Sequence, residues 1–120
     1  RSYDQGRSWT KPLAIAPAGA LPRLLRLANG VTVLASGRPG VQLRFTKTGG
    51  SQDWTDGFEM LPYESTRMEL QYLVSCGYTG ILATGPDRFL VIYSDFRYKN
   101  EPDQERKAIK IREVTVTPNE

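Results

Sequence analysis

Histidine is absent from this 120-residue sequence, and cysteine occurs once, as Cys76. The first absence excludes Ser-His-Asp and Cys-His catalysis within the chain. It also removes the usual nitrogen ligand of zinc, so no metal site and no cofactor are expected. The second absence excludes an internal disulfide, and the neighbours of Cys76 suggest a small buried residue more than a reactive thiol. Acid–base chemistry is left to carboxylates, tyrosine or lysine. No apolar run is long enough to span a bilayer as a helix, and no basic-then-apolar leader is present. The first residue is Arg1 and not Met, so the sequence is expected to be part of something longer.

Charge of one sign is also lacking. The 16 basic and 13 acidic residues leave a net charge of +3. That is too mild to point to nucleic acid. Arginine outnumbers lysine by eleven to five. Its planar fork suits carboxylates and phosphates, although ordinary surface charge is the plainer reading of composition alone.

What is present is a succession of short β-prone runs divided by Gly, Pro, Asn and Asp. Residues 66–75 come closest to an amphipathic helix, but they sit among turn signals. Strands are expected over Leu13–Ala16, Arg23–Leu27, Val31–Ser36, Val41–Thr46, Gly57–Leu61, Tyr78–Thr84 and Phe89–Tyr93. Asn29-Gly30 between two apolar runs is a strong hairpin signal, because both residues tolerate positive φ. Gly85-Pro86-Asp87 marks a second tight turn. Residues 100–106 read as a charged loop. Lys107–Thr117 alternates through Ile109, Ile111, Val114 and Val116, with a slip at Glu113 that a bulge would absorb. Each half thus reads strand, tight turn, strand, then a more polar strand. A four-stranded meander repeated every ~40–50 residues is the mark of propeller blades.

One turn motif is complete: Ser2-x-Asp4-x-Gly6-x-x-Trp9. Ser and Asp hold a tight turn by bonding nearby backbone. Gly supplies positive φ. Trp9 is expected to pin the turn to the core by burying a large surface. A worn copy runs from Thr46 to Trp54: Thr46 stands for the Ser, Thr48 for the Asp, Gly50 for the Gly, and Trp54 falls one residue late. The two copies start 44 residues apart, at Ser2 and Thr46.

This motif resembles the Asp-box, or bacterial neuraminidase repeat. Together with Gly37-Arg38-Pro39-Gly40-Val41, Cys76-Gly77-Tyr78-Thr79 and the hairpin ending at Phe96, nearly the whole chain resembles the C-terminal part of a sialidase-family six-bladed β-propeller. The resemblance implies an all-β fold holding about two blades. Residues 1–20 would end one blade, 21–62 form a full blade, and 63–120 form most of a further one. It implies that the boxes are structural staples and carry no catalysis. The remaining blades would come from the same chain or from identical copies, and a secreted or periplasmic location would follow.

The family clamps the sialic acid carboxylate with three arginines, the last of them shortly before an Asp-box. Arg38 stands eight residues before Thr46. By resemblance Arg38 binds the substrate carboxylate; otherwise it caps a strand end beside Pro39. The family nucleophile is a tyrosine at the start of a blade strand, and Tyr78 fits that position; otherwise it is a core or rim tyrosine. The family's Ser-Tyr-Ser flank is replaced here by Gly77-Tyr78-Thr79. A base glutamate, two further arginines and an acid aspartate have no counterpart in the sequence. Glu64 and Glu69 match no family position and read as solvated. Tyr63 and Tyr72 read as packing, and Asp95 to Tyr98 as a strand-end ion pair or a pocket rim. The resemblance implies a glycoside hydrolase that releases terminal sialic acid from glycans. The alternative is a non-catalytic, glycan-binding or scaffold Asp-box propeller. Neither needs nucleic acid or a membrane span.

Overall fold

The computed structural model describes residues 1–50, 52–61, 78–102 and 104–118, and they contain strands and turns but no helix. No helix among them is long and apolar enough to cross a membrane. Among the described residues seven strands form: β1 (Ala20–Arg26), β2 (Thr32–Gly37), β3 (Val41–Thr46), β4 (Phe58–Leu61), β5 (Thr79–Ala83), β6 (Arg88–Glu101) and β7 (Gln104–Thr115). They build one four-stranded sheet, β1-β2-β3-β4, and one three-stranded sheet, β5-β6-β7. Every pairing is antiparallel between neighbours in sequence.

Alternation decides which faces meet. In the first sheet Val33, Ala35, Val41 and Leu43 point to one side and are fully buried. In the second, Phe89, Val91 and Tyr93 do the same. The two faces close on each other as one core, with Leu25, Phe45, Ile81, Val114 and Val116 around its margin. Side chains one residue on along each strand point away from it, as the period of two requires.

The two hairpins are built alike. In the first, the Leu27 N–H donates to the Val31 carbonyl at 2.8 Å across residues 28–30. In the second, the Thr84 N–H donates to the Arg88 carbonyl at 2.9 Å across residues 85–87. Gly30 has φ +89°, which the Asn-Gly signal requires. Asn29 ties the two loops together. Its N–H donates to the Pro86 carbonyl at 2.9 Å and its side-chain amide to the Val116 carbonyl at 3.0 Å. Its own side-chain oxygen accepts the Val31 N–H at 3.1 Å.

Three expectations are corrected. Leu13–Ala16 forms no strand, since Pro12 and Pro17 on either side lack the ladder donor. Residues 100–106 are not a charged loop: β6 runs to Glu101 and β7 starts at Gln104. No bulge falls at Glu113, which pairs with Leu90 in unbroken register. The register shifts lie instead between Asp95 and Tyr98 and between Lys99 and Glu101. Without that bulge, Ile109 and Ile111 stay on the outer face, 79% and 61% exposed, while Val114 turns inward.

Candidate functional site

The sheets have two unlike ends. One holds the hairpin loops and the second box, and among the described residues no buried side-chain polar atom there lacks a partner. The other holds the β2–β3 tip and the start of β5. There Arg38-Pro39-Gly40 joins the two strands, with Arg38 at φ +46° and Gly40 at φ +56°. The Arg38 N–H donates to the Gly40 carbonyl at 3.2 Å, which closes the tip. Tyr78 immediately precedes β5 and is 66% exposed. The Arg38 guanidinium carbon lies over its ring, 5.8 Å from the centroid. The fold therefore brings together the two residues that the sequence singled out, 40 positions apart.

Two buried polar side-chain atoms among the described residues have no hydrogen-bond partner: Arg38 Nε and Thr79 Oγ1. Both belong to this end. Thr79 follows Tyr78 directly and pairs with Tyr93 in the sheet. A buried donor left without an acceptor is costly unless something else satisfies it. An arginine Nε–H is one arm of the fork that grips a carboxylate. Beyond Tyr93 on the same strand, Asp95 is buried and held by Lys110 at 2.8 Å. Lys110 also lies 4.8 Å from the Tyr98 ring centroid. The ion pair is thus within β6–β7, where the strands run longer than the sequence suggested.

The box residues form turns as expected, with changes in who does what. In the first, the Gly6 N–H donates to Ser2 Oγ at 2.7 Å and Ser2 Oγ–H to the Asp4 carboxylate at 2.9 Å. The Ser8 N–H donates to the same carboxylate at 2.9 Å, and so does its hydroxyl. These bonds, the Ser8 hydroxyl first, hold the Asp4 carboxyl down at about 2. Trp9 does not pin this turn: it is 73% exposed. The turn is held by hydrogen bonds and by Arg1, whose guanidinium donates to the Gly49 carbonyl at 2.6 Å. That bond places the two boxes side by side, around a cavity of about 630 Å³ that Tyr3 and Trp54 help to line.

In the second box, Thr46 accepts the Gly49 N–H at 3.0 Å and Thr48 accepts the Gly50 N–H at 2.9 Å. The carboxylate is supplied by Asp53, which accepts the Thr48 N–H at 3.1 Å. The Thr46 hydroxyl is the first cause that lowers the Asp53 carboxyl to about 2. Thr48 is therefore not the Asp equivalent. Positive φ falls on Gly49, at +65°, and not on Gly50. Gly50 is held by space: a Cβ there would meet Thr48 Oγ1 at 2.8 Å. Asp53 was missed because it stands in the place the motif gives to Trp, although a turn-forming Asp in a worn box was a usable signal. Trp54 is half-buried.

Tyr63, Glu64, Glu69, Tyr72, Cys76 and Gly77 lie outside the described residues. Among the described residues no cluster of carboxylate, cysteine or histidine side chains could hold a metal ion. No protein-family model, no curated protein and no solved structure matches the chain.

Proposed function

We propose that the chain is part of a sialidase-like glycoside hydrolase and that its two sheets are adjacent blades of a β-propeller. The observation that carries this reading is the Arg38 guanidinium over the Tyr78 ring, with its Nε–H buried and unmatched. An arginine fork takes a carboxylate by two charge-assisted bonds. Sialic acid carries its carboxylate on the anomeric carbon itself. A carboxylate clamped at Arg38 brings that carbon to the neighbouring tyrosine.

The chemistry explains the choice of nucleophile. A carboxylate nucleophile would be repelled by the carboxylate of the substrate, whereas a neutral phenol is not. An ordinary tyrosine ionises near pKa ~10, so a base must take its proton as it attacks. The phenolic oxygen bonds to the anomeric carbon, the bond to the aglycone oxygen breaks, and an acid protonates the leaving oxygen. Water then replaces the tyrosine. The base, the acid and further arginines would come from other blades. Tyrosine-based sialidases are a known departure from the two-carboxylate glycosidases.

A fluorogenic sialoside tests the reading on the intact protein. Tyr78→Phe should lower turnover on the order of 10³-fold with binding retained. Arg38→Met should weaken binding by about 10–100-fold, the worth of one charged hydrogen bond. Unchanged turnover in Tyr78→Phe overturns the nucleophile. Sialoside binding without turnover in the wild type would favour a glycan-binding propeller in place of an enzyme.

A further inference from the structure

The outer face of the second sheet is out of character for a surface. Leu82, Ile92, Ile109 and Ile111 stand on it, all exposed, with Leu90 half-buried between them. The two hairpins explain why. Aligning their matching closing bonds, Leu27 to Val31 and Thr84 to Arg88, carries one sheet onto the other. The registers then agree pair by pair. Val33 opposite Phe45 corresponds to Leu90 opposite Glu113, and Ala35 opposite Leu43 to Ile92 opposite Ile111. Gly37 opposite Val41 corresponds to Ser94 opposite Ile109. Val33, Ala35, Val41 and Leu43 are fully buried against a sheet. Their counterparts Leu90, Ile92, Ile109 and Ile111 have the same chemistry and nothing on top of them among the described residues.

The same alignment treats the other outer face. Leu24, Leu34 and Arg44 lie in one row across β1, β2 and β3. They correspond to Ile81, Val91 and Arg112, and Ile81 and Val91 pack into the core. Arg44 is only 7% exposed, and the ion pairs of the described residues, Arg88–Asp87 and Lys110–Asp95, leave it out. It lies in a groove of about 540 Å³, with Leu24, Leu34 and Trp54 among the walls. The opposite outer face carries Glu113 in the row Leu82, Leu90, Glu113. One face thus offers Leu, Leu, Arg and the other Leu, Leu, Glu, on corresponding strands.

We infer that these two faces dock on each other between copies of this chain. The second sheet of one copy sits on the first sheet of the next, with Glu113 facing Arg44. The contact is head-to-tail, because unlike faces meet, and such contacts build rings when the rotation closes. It repeats the sheet packing already present inside the chain. Among the described residues β7 is an edge of the three-stranded sheet, and residues 10–14, which would lie beside it in the next copy, belong to no sheet. That segment is placed to add a fourth strand. Three copies would bring six sheets into a ring. The inference rests on the two-blade reading but not on the chemistry.

Sedimentation velocity and light scattering of the purified chain test it. Wild type is expected as a discrete oligomer of three copies, with monomer appearing on dilution. Ile111→Asp and Leu24→Asp each spoil one face at an exposed position, so each should fold and run as a monomer. Mixed one to one, each supplies the face the other lacks, and a heterodimer should form. A strictly monomeric wild type, unchanged assembly in both variants, or no heterodimer on mixing overturns the inference. Sialoside turnover by a monomer would overturn it while leaving the functional reading intact. An oligomer without turnover would do the reverse.

Discussion

A carboxylate that accepts several hydrogen bonds in a folded turn is harder to protonate there than in the unfolded chain. Asp4 and Asp53 are both in that position, lowered from 3.8 to about 2. The folded pKa lies below the unfolded one, so the folded state binds fewer protons and stability rises with pH. The contribution is fully present above 3.8 and is lost as pH falls through that value towards 2. Asp4→Asn should therefore melt below wild type near neutral pH, with the gap narrowing across this window. Thermal melts at stepped pH check this, and a gap that stays constant down to pH 2 would refute it. The same residues show what sequence reading could and could not reach. The first box was legible because Ser2, Asp4 and Gly6 fill a spaced pattern that acts through local bonds. The exposure of Trp9 was not legible, since a tryptophan's burial depends on what the rest of the chain puts over it. Asp53 was hidden for the opposite reason. A carboxylate can reach a turn from either side, and the pattern names only one of them.

At the level of strands, alternation and turn residues carried most of the information. β3 was expected over Val41–Thr46 and is found there. β2, β4 and β5 differ from expectation by a residue or so at their ends. The long β6–β7 hairpin was cut short because its outer half is charged on both faces, and charge reads as loop when no core imposes a period. The slip at Glu113 came from the assumption that Ile109, Ile111, Val114 and Val116 all share one buried face. The structure divides them, and the division can be measured. Phe89→Ala, in the core, should cost ~3–5 kcal/mol of unfolding free energy. Ile109→Ala, on the outer face, should change it by no more than ~0.5 kcal/mol. Urea unfolding at a protein concentration where the chain is monomeric checks both. A large loss at Ile109 would mean that its face is covered within the chain itself.

Across the whole molecule the two ends of the sheets divide the tasks. At the loop end, Asn29 makes three hydrogen bonds that join both hairpins and the segment after β7. At the other end, Arg38 Nε and Thr79 Oγ1 are buried and unmatched beside Tyr78. Stability is thus concentrated away from the candidate site, and unsatisfied polarity is concentrated in it. Natural sites often keep such groups at a cost to the fold, because a ligand supplies the missing partner. The two ends should therefore respond in opposite ways to substitution. Asn29→Ala removes bonds and leaves buried backbone groups unpaired, so it should cost about 1–3 kcal/mol while leaving sialoside binding intact. Arg38→Met keeps the bulk and removes an unmatched buried donor, so its melting temperature should equal or exceed that of wild type while sialoside binding weakens by about 10–100-fold. Both variants carry through to the same pair of measurements, thermal unfolding and calorimetric titration with a sialoside. If Arg38→Met instead melts lower, its guanidinium is satisfied within the fold. It is then a structural side chain, and the carboxylate clamp has to be sought elsewhere.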